Sequence, residues 1–163
     1  MFRVMNMKRN KLWTYGVAIA IPEAVGVLGG LLTRNGIDNL RKIQQSALTP
    51  PAFIFPIVWT VLYGLMGVSL ARIWQQPDSS ERTKGLGLFL FQLIINFFWI
   101  IFFFNMQAFG LSFFWILCLW VLIGLMIRFF YQVDKPAALL QIPYFIWVTF
   151  ASYLTYEAWR LNR

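Results

Sequence analysis

Residues 49–67 read TPPAFIFPIVWTVLYGLMG, an apolar run that two prolines open and that Trp59, Thr60 and Tyr63 interrupt. A helix rises about 1.5 Å per residue, and about 20 mostly apolar residues cross the hydrocarbon core of a bilayer. Continued to Trp74, this stretch is long enough to span a membrane. It therefore predicts a transmembrane helix that carries amphipathic aromatic side chains below the membrane surface.

The composition of the whole chain also indicates a protein that is surrounded by lipid. Of its 163 residues, 60% are hydrophobic and 12% are charged, whereas soluble domains have about 45–50% and about 25%. The net charge of +8 comes from short basic clusters between apolar runs. This pattern is typical of loops that flank membrane spans and not of a nucleic-acid-binding face. We therefore expect an integral membrane protein in a lipid bilayer, without a nucleic-acid partner.

The sequence contains no histidine, which is the commonest metal ligand and the commonest general base. Zinc hydrolysis, Ser-His-Asp chemistry and His-ligated haem are thereby excluded. We predict neither a metal site nor a required cofactor. The single cysteine, Cys118, cannot form an internal disulfide, so no redox compartment follows from it.

Five apolar stretches are long enough to cross a membrane. We predict an all-α integral membrane bundle of five transmembrane helices, forming one domain over residues 1–163, with spans at about residues 12–32, 53–74, 86–104, 109–132 and 139–159. In this arrangement, nine of the 14 basic residues fall on the side of the N-terminus. Because cytoplasmic loops carry more Lys and Arg, we expect a cytoplasmic N-terminus. The membrane is taken to be a bacterial cell membrane.

Polar and aromatic side chains from four spans fall at similar depths when residues are counted inward from the face that carries the first loop. At about 1.5 Å per residue, their depths run from roughly 8 to roughly 18 Å. The residues are Glu23, Trp59, Tyr63, Gln92, Asn96, Trp99, Trp147 and Ala151. Two interpretations are open. Indole faces and a few amides can line a cavity for a flat aromatic ligand, or they can form ordinary buried packing and hydrogen bonds between helices.

Glu23 is the one charged side chain predicted deep within a span. A carboxylate in hydrocarbon is costly unless it is protonated, paired or hydrated, so it is a functional candidate by default. It also follows Pro22, which loosens the preceding turn. Glu23 therefore equally fits a structural hydrogen bond to a neighbouring helix or to water.

The opening stretch resembles the second-span signature of the TspO/MBR family, which includes translocator proteins and tryptophan-rich sensory proteins. Residues 92–103, QLIINFFWIIFF, resemble the family's Asn-x-x-Trp-x-x-x-Phe-Phe segment of the third span. Residues 142–162, IPYFIWVTFASYLTYEAWRLN, resemble its fifth span, and glycines 26, 29 and 30 fit its first. The resemblance covers nearly the whole chain.

This resemblance implies a five-helix bundle, commonly a homodimer, with a pocket beneath the first loop. In the family, that pocket binds porphyrins such as protoporphyrin IX, and in some members isoquinoline carboxamides and sterols. By position, Trp59 and Trp147 match the tryptophans associated with the pocket and with light-dependent porphyrin breakdown in some bacterial members. The residues that match the rest of the lining are Tyr63, Asn96, Trp99 and Ala151.

A cholesterol-recognition pattern of the family has a formal match in Leu154, Tyr156 and Arg160. Patterns of this kind are weak. A tyrosine and an arginine at the end of an ordinary span fit the same positions.

Three functional hypotheses follow. The first is a membrane receptor, sensor or carrier for a porphyrin or a related flat hydrophobic molecule, with Arg34, Arg41 and Lys42 of the first loop near its propionates. The second is an enzyme that degrades bound porphyrin in light, with Trp59 or Trp147 relaying an electron. The third is a small-molecule exporter with a proton-coupling carboxylate in the first span, although five spans without a repeat are not the usual inverted-repeat plan.

Overall fold

The computed structural model describes residues 2–34, 36 and 43–163, and this part of the chain contains helices and no β-strand. The helices are α1 (Phe2–Leu32), α2 (Ile54–Trp74), α3 (Ser80–Ile100), α4 (Phe109–Val133), α5 (Lys135–Leu139) and α6 (Ile142–Leu161). Five segments are long and apolar enough to cross a membrane: Lys11–Leu32, Ile54–Trp74, Ser80–Asn105, Phe109–Val133 and Lys135–Leu161. The predicted all-α fold with five spans is confirmed, and the chain is an integral membrane protein.

The outer surface of the bundle is apolar. Leu31 on α1, Phe114 on α4 and Ile146 on α6 are 65%, 59% and 62% exposed. Contiguous apolar surface of this kind is unfavourable in water but favourable against acyl chains. The surface therefore agrees with a bilayer around the helices.

Helix α3 begins at Ser80 and not near residue 86, where hydropathy placed the start of the third span. Ser79 is its N-cap, and the Ser79 hydroxyl accepts a hydrogen bond from the Arg82 backbone N–H at 3.1 Å. The Arg82 guanidinium then donates to the carbonyl oxygens of Ile73 at 3.1 Å and Trp74 at 2.9 Å, at the end of α2. Capping residues set where a helix starts, whereas hydropathy marks only the part that meets lipid. The polar first turn was missed for that reason.

The third span ends in a single π-helical turn, Ile101–Asn105. Such turns are rare, and they frequently occur at functional sites. Here the Asn105 side-chain amide donates to the Leu32 carbonyl at 2.9 Å. The last carbonyls of a helix lack partners within the helix, so this bond caps α1. The π-helical turn thereby joins the ends of the first and third spans on the face that carries the first loop.

Two glycines allow α1 and α2 to pack closely. A Cβ at Gly67 would overlap the backbone of Ile19 on α1, and a Cβ at Gly26 would overlap the ring of Tyr63 on α2. Small residues at membrane helix interfaces let backbones approach in this way. Gly26 and Gly67 therefore form contacts within one chain.

An ion pair ties α2 to the junction of α4 and α5. The Arg72 guanidinium binds the Asp134 carboxylate in a bidentate manner, with Nε and Nη2 at 2.8 and 3.2 Å from its two oxygens. One turn earlier on α2, the buried Ser69 hydroxyl donates to the Ala137 carbonyl of α5 at 2.8 Å. These bonds fix the end of the bundle opposite the first loop.

On the other face, Asn162 holds the described end of the first loop against the end of α6. Its side-chain oxygen accepts from the Gln44 backbone N–H at 3.1 Å, and its side-chain nitrogen donates to the Gln44 carbonyl at 2.9 Å. Of the three basic residues assigned to this loop, Arg34 is exposed just after α1. Arg41 and Lys42 lie outside the described residues.

Candidate functional site

Four rings from α2, α3 and α6 meet inside the bundle. The Trp59 ring centroid lies 5.4 Å from that of Tyr63, 6.4 Å from that of Trp99 and 6.2 Å from that of Tyr144. Tyr63, Trp99 and Tyr144 are buried, and Trp59 is partly buried. These four residues are called the aromatic cluster. Centroid distances between 4.5 and 7 Å are typical of favourable aromatic pairs.

A buried hydrogen-bond chain runs beside these rings. The Tyr63 hydroxyl donates to Asn96 Oδ1 at 2.8 Å, and Asn96 Nδ2 donates to the Tyr144 hydroxyl at 3.2 Å. The Tyr144 hydroxyl donates to Gln92 Oε1 at 2.7 Å. These four residues, Tyr63, Asn96, Tyr144 and Gln92, are called the polar chain. Buried polar networks orient their members and specify one arrangement of the helices.

Helical spacing explains why these residues meet. Gln92, Asn96 and Trp99 follow one another at intervals of four and three residues, so they share one face of α3. Tyr144 and Ala151 lie two turns apart on the inward face of α6, and both are buried. Ala151 is small, and it presents little side chain toward the interior. Of the positions that the sequence analysis grouped by depth, the structure brings Tyr63, Gln92, Asn96 and the rings of Trp59 and Trp99 together.

Three buried nitrogen–hydrogen donors of the predicted site residues have no hydrogen-bond partner in the described part of the chain. They are Trp99 Nε1, Trp147 Nε1 and Gln92 Nε2. A buried donor without an acceptor destabilises a protein by about 1–3 kcal/mol. The arrangement can therefore gain free energy from a bound molecule that brings acceptor atoms to these donors.

Trp147 stands apart from the aromatic cluster. Its ring packs edge-on against Phe55 of α2, with centroids 5.9 Å apart, and it lines a groove of about 470 Å³ between α2 and α6 that opens to the outer surface. The other lining residues are Val58, Leu62, Ile142, Pro143, Ile146 and Phe150. Counting residues from the face of the first loop placed Trp147 deeper in the membrane than Trp59. In the structure, Trp147 packs against Phe55, which lies one helical turn closer to that face than Trp59 does. The count failed here because it ignores offsets and tilts between helices.

Glu23 lies at the contact of α1 with α2 and outside the polar chain. Its carboxyl oxygen Oε1 is 3.6 Å from the position that a Cβ on Gly64 would occupy. The side chain is partly buried, and among the described residues it has no hydrogen-bonding or ion-pair partner. Glu23 therefore forms no hydrogen bond with Gln92 or Asn96 of α3.

The three residues of the sterol pattern do not form one surface. Leu154 is buried, whereas Tyr156 and Arg160 are exposed. The Arg160 guanidinium pairs with Glu157 at 2.9 Å, and the Tyr156 ring lies 5.4 Å from that of Phe113 on α4. These contacts are typical of the end of an ordinary span.

Sequence reasoning missed Tyr144, which belongs to both the aromatic cluster and the polar chain. Its signal was present, because a tyrosine within an apolar run must place its hydroxyl next to a polar partner. Phe55 was missed as well, and nothing in its sequence context distinguishes it from the many other phenylalanines of the chain.

A small polytopic membrane protein with five helical spans and an interior aromatic and polar site is the class that these observations define. Residues 18–160 match the model of the TspO/MBR family, and the chain belongs to this family.

Relatives from distant organisms agree with this membership. The Tryptophan-rich protein TspO of Chlorobaculum tepidum is 35% identical, over 93% of this chain and 98% of its own length. The Tryptophan-rich sensory protein of Cereibacter sphaeroides is 33% identical, over 97% of this chain and 95% of its own. The Translocator protein of Bos taurus is 31% identical, over 93% and 92%. The similarity therefore extends over whole chains and not over one motif.

Proposed function

We propose that the protein is a membrane receptor, sensor or carrier that binds a flat hydrophobic tetrapyrrole such as protoporphyrin IX. The observation that carries this proposal is the aromatic cluster beside buried indole and amide N–H groups that have no acceptor among the described residues. Aromatic walls with a few convergent polar groups are the usual chemistry of small-molecule sites. Family membership supports the same function.

The groove between α2 and α6 supports a route for such a ligand. It is lined by apolar side chains and opens toward the bilayer, and its volume of about 470 Å³ lies within the usual range of about 300–1,000 Å³ for ligand pockets. Trp147 forms part of its wall. A hydrophobic planar molecule dissolved in the membrane would reach this groove without crossing water. Exposed Arg34 is a candidate partner for its carboxylates at the face of the first loop.

The binding proposal is tested by titrating the purified protein in detergent with protoporphyrin IX while tryptophan emission is recorded. Saturable quenching is expected. Trp59→Ala is expected to weaken binding roughly tenfold, because about 1.4 kcal/mol of ring contact corresponds to that factor. Trp13→Ala is the matched control, since Trp13 is 74% exposed near the start of the first membrane span, Lys11–Leu32. Equal affinity of both variants, or the absence of quenching in the parent protein, contradicts the proposal.

Light-dependent porphyrin breakdown is the second candidate. Neighbouring rings favour it, because the Trp59 centroid lies 5.4 Å from Tyr63 and 6.4 Å from Trp99, which is close enough for aromatic side chains to exchange an electron in turn. The reactive electronics would belong to the pigment, and the chain would position it. Irradiation of the complex in the presence of oxygen is expected to give a new absorbing product. Its persistence in Trp59→Phe and Trp147→Phe would exclude the relay.

The proposed assembly is a homodimer, which family membership supports. Chemical crosslinking in native membranes is expected to yield a species of twice the monomer mass. A monomer alone at saturating crosslinker contradicts it.

The proposed orientation has a cytoplasmic N-terminus, and the excess of basic residues on that side supports it. In a Cys118→Ser background, a membrane-impermeant maleimide applied to whole cells is expected to label Ser46→Cys in the first loop. Ser80→Cys, at the start of α3 on the opposite face, is expected to remain unlabelled. The reverse pattern would require the opposite orientation.

A further inference from the structure

Three buried amide atoms on α3 and at the start of α6 have no partner in the described part of the chain. Gln141 is fully buried, and neither its Nε2 nor its Oε1 forms a hydrogen bond there. Gln92 is also fully buried, and its Nε2 is unpaired although its Oε1 accepts from Tyr144. Native structures rarely keep such atoms without a bound molecule. In a membrane interior, bulk water does not reach them.

Tyr144 is hydrogen-bonded to one of the two glutamines and lies one helical turn after the other. Its hydroxyl donates to Gln92 Oε1 at 2.7 Å, and it follows Gln141 by three residues on the same chain. Gln141 has helical dihedral angles, φ −89° and ψ −11°, and its carbonyl accepts the Phe145 N–H at 3.0 Å. Residues three apart in a helical turn lie on one face. Gln92 and Gln141 therefore border the same region of the interior, on the side of Tyr144 that faces away from the first loop.

The chemistry of these atoms indicates what they bind. Two are amide donors and one is an amide acceptor, and none is charged. An ion would lack a charge partner there, and a purely apolar molecule would leave all three atoms unpaired. A small neutral molecule that both donates and accepts hydrogen bonds satisfies them, and water is the smallest such molecule.

We propose that Gln92 and Gln141 form an internal water site. One water bridges the two amides, and a second binds the other edge of the Gln141 amide, so that all three unpaired atoms gain partners. The site extends the polar chain beyond Gln92 toward α5, where the Gln141 N–H donates to the Ala138 carbonyl at 3.0 Å and Ala137 accepts from Ser69. Hydrogen-bonding groups thus continue from the aromatic cluster toward the Arg72–Asp134 pair. Gln92 Nε2 is also one of the three donors that the proposed ligand can satisfy, whereas both side-chain atoms of Gln141 lie outside that set, so the tests of the water site use Tyr144 and Gln141.

Radiolytic labelling tests the site directly. An X-ray pulse converts bound water into hydroxyl radicals that modify adjacent side chains, and protein exchanged into ¹⁸O water carries the isotope into the product. Tyr144, which is 0% exposed, is expected to gain ¹⁸O in the parent protein. Phe130, equally buried between α3 and α4, is the control and is expected to remain unmodified. Absence of label on Tyr144 overturns the proposal, and this readout does not depend on any variant folding.

The direction in which the Tm changes when Gln141 is replaced tests the same site. Gln141→Leu and Gln141→Met remove partners of the bound waters, so the Tm is expected to fall by about 4 °C. A dry interior gives the opposite result, because the substitution would remove an unpaired amide and raise the Tm. Gln132→Leu, at an exposed position near the end of α4, is the matched control and is expected to leave the Tm unchanged. An unchanged or higher Tm in both Gln141 variants refutes the water site.

Discussion

Two pairs of tryptophans in this bundle differ in the hydrogen bonds of their indole N–H groups. On α4, the Trp115 indole N–H donates to the Ile95 carbonyl at 2.8 Å, and the Trp120 indole N–H donates to the Thr149 hydroxyl at 2.8 Å. The N–H groups of Trp99 and Trp147 are buried and have no acceptor among the described residues. The first pair joins α4 to its neighbours. In the second pair, Trp99 belongs to the aromatic cluster and Trp147 lines the groove.

The difference shows how one residue type can serve the fold or a site. An indole whose N–H is already bonded within the protein contributes packing and a fixed contact between helices. An indole whose buried N–H lacks an acceptor lowers stability, and a ligand that supplies the acceptor recovers that free energy. Both pairs lie within apolar spans, and hydropathy does not distinguish them, whereas the hydrogen bonds of their N–H groups do.

The largest expected effect comes from breaking the polar chain that accompanies the second pair. Asn96→Leu leaves the Tyr63 hydroxyl without its acceptor and removes a donor to Tyr144. We expect the free energy of unfolding to fall by about 2–4 kcal/mol, measured by chemical denaturation in detergent.

The control for Asn96→Leu is Thr83→Val. It removes a side-chain hydrogen bond at an exposed position of the same helix, and surface changes of this kind are usually within about 0.5 kcal/mol. Similar losses in both variants would mean that the buried chain contributes no more than an exposed bond.

A smaller effect is expected when Trp115 and Trp99 are each replaced by phenylalanine, and the two variants are expected to differ in stability and in porphyrin affinity. Trp115→Phe removes the bond to the Ile95 carbonyl, so we expect a loss of about 1 kcal/mol in unfolding free energy and unchanged porphyrin affinity. Trp99→Phe removes a donor that has no described partner, so we expect unchanged or slightly greater stability and roughly tenfold weaker porphyrin binding. Thermal denaturation and fluorescence titration of the two variants measure both quantities. If both variants behave alike, the distinction between the two pairs of tryptophans is wrong.

The smallest expected effect lies in the pair of Trp120 and Thr149. A double-mutant cycle with Trp120→Phe and Thr149→Val measures their coupling by chemical denaturation. We expect about 0.6 kcal/mol, the average for hydrogen bonds between membrane helices. A coupling near zero would show that this indole is held by packing alone, for which its ring centroid distance of 4.9 Å from Phe145 is suited.

Much of the fold could be predicted because lipid imposes a simple rule on sequence. Each span needs a long apolar run, and the runs were found with their ends close to those of α2, α4 and α6. Helix α3 begins at Ser80, before the apolar run predicted from about residue 86, because its first turn depends on the Ser79 cap and on the contacts of Arg82, which hydropathy does not register. The connection predicted before the fifth span contains the short helix α5, which hydropathy also does not register because it is only five residues long.

The candidate site could be predicted only in part. Counting depth along straight helices brought Tyr63 to the level of Asn96, and their hydrogen bond agrees with that count. The same count could not give the offset of α6, so the contact of Trp147 with Phe55 and the role of Tyr144 did not follow from it. Nor could it reveal the groove, because ordinary aliphatic side chains form most of its wall.

The two hydrogen bonds between Asn162 and Gln44 have a practical consequence for handling the molecule. The Asn162 amide binds both backbone groups of one residue in the first loop. A bulky group attached beside Asn162 would disturb both bonds and loosen this end of the first loop from α6. Labels attached on the opposite face, for example at exposed Ser80 at the start of α3, leave both bonds intact and are the better choice for preparing the protein.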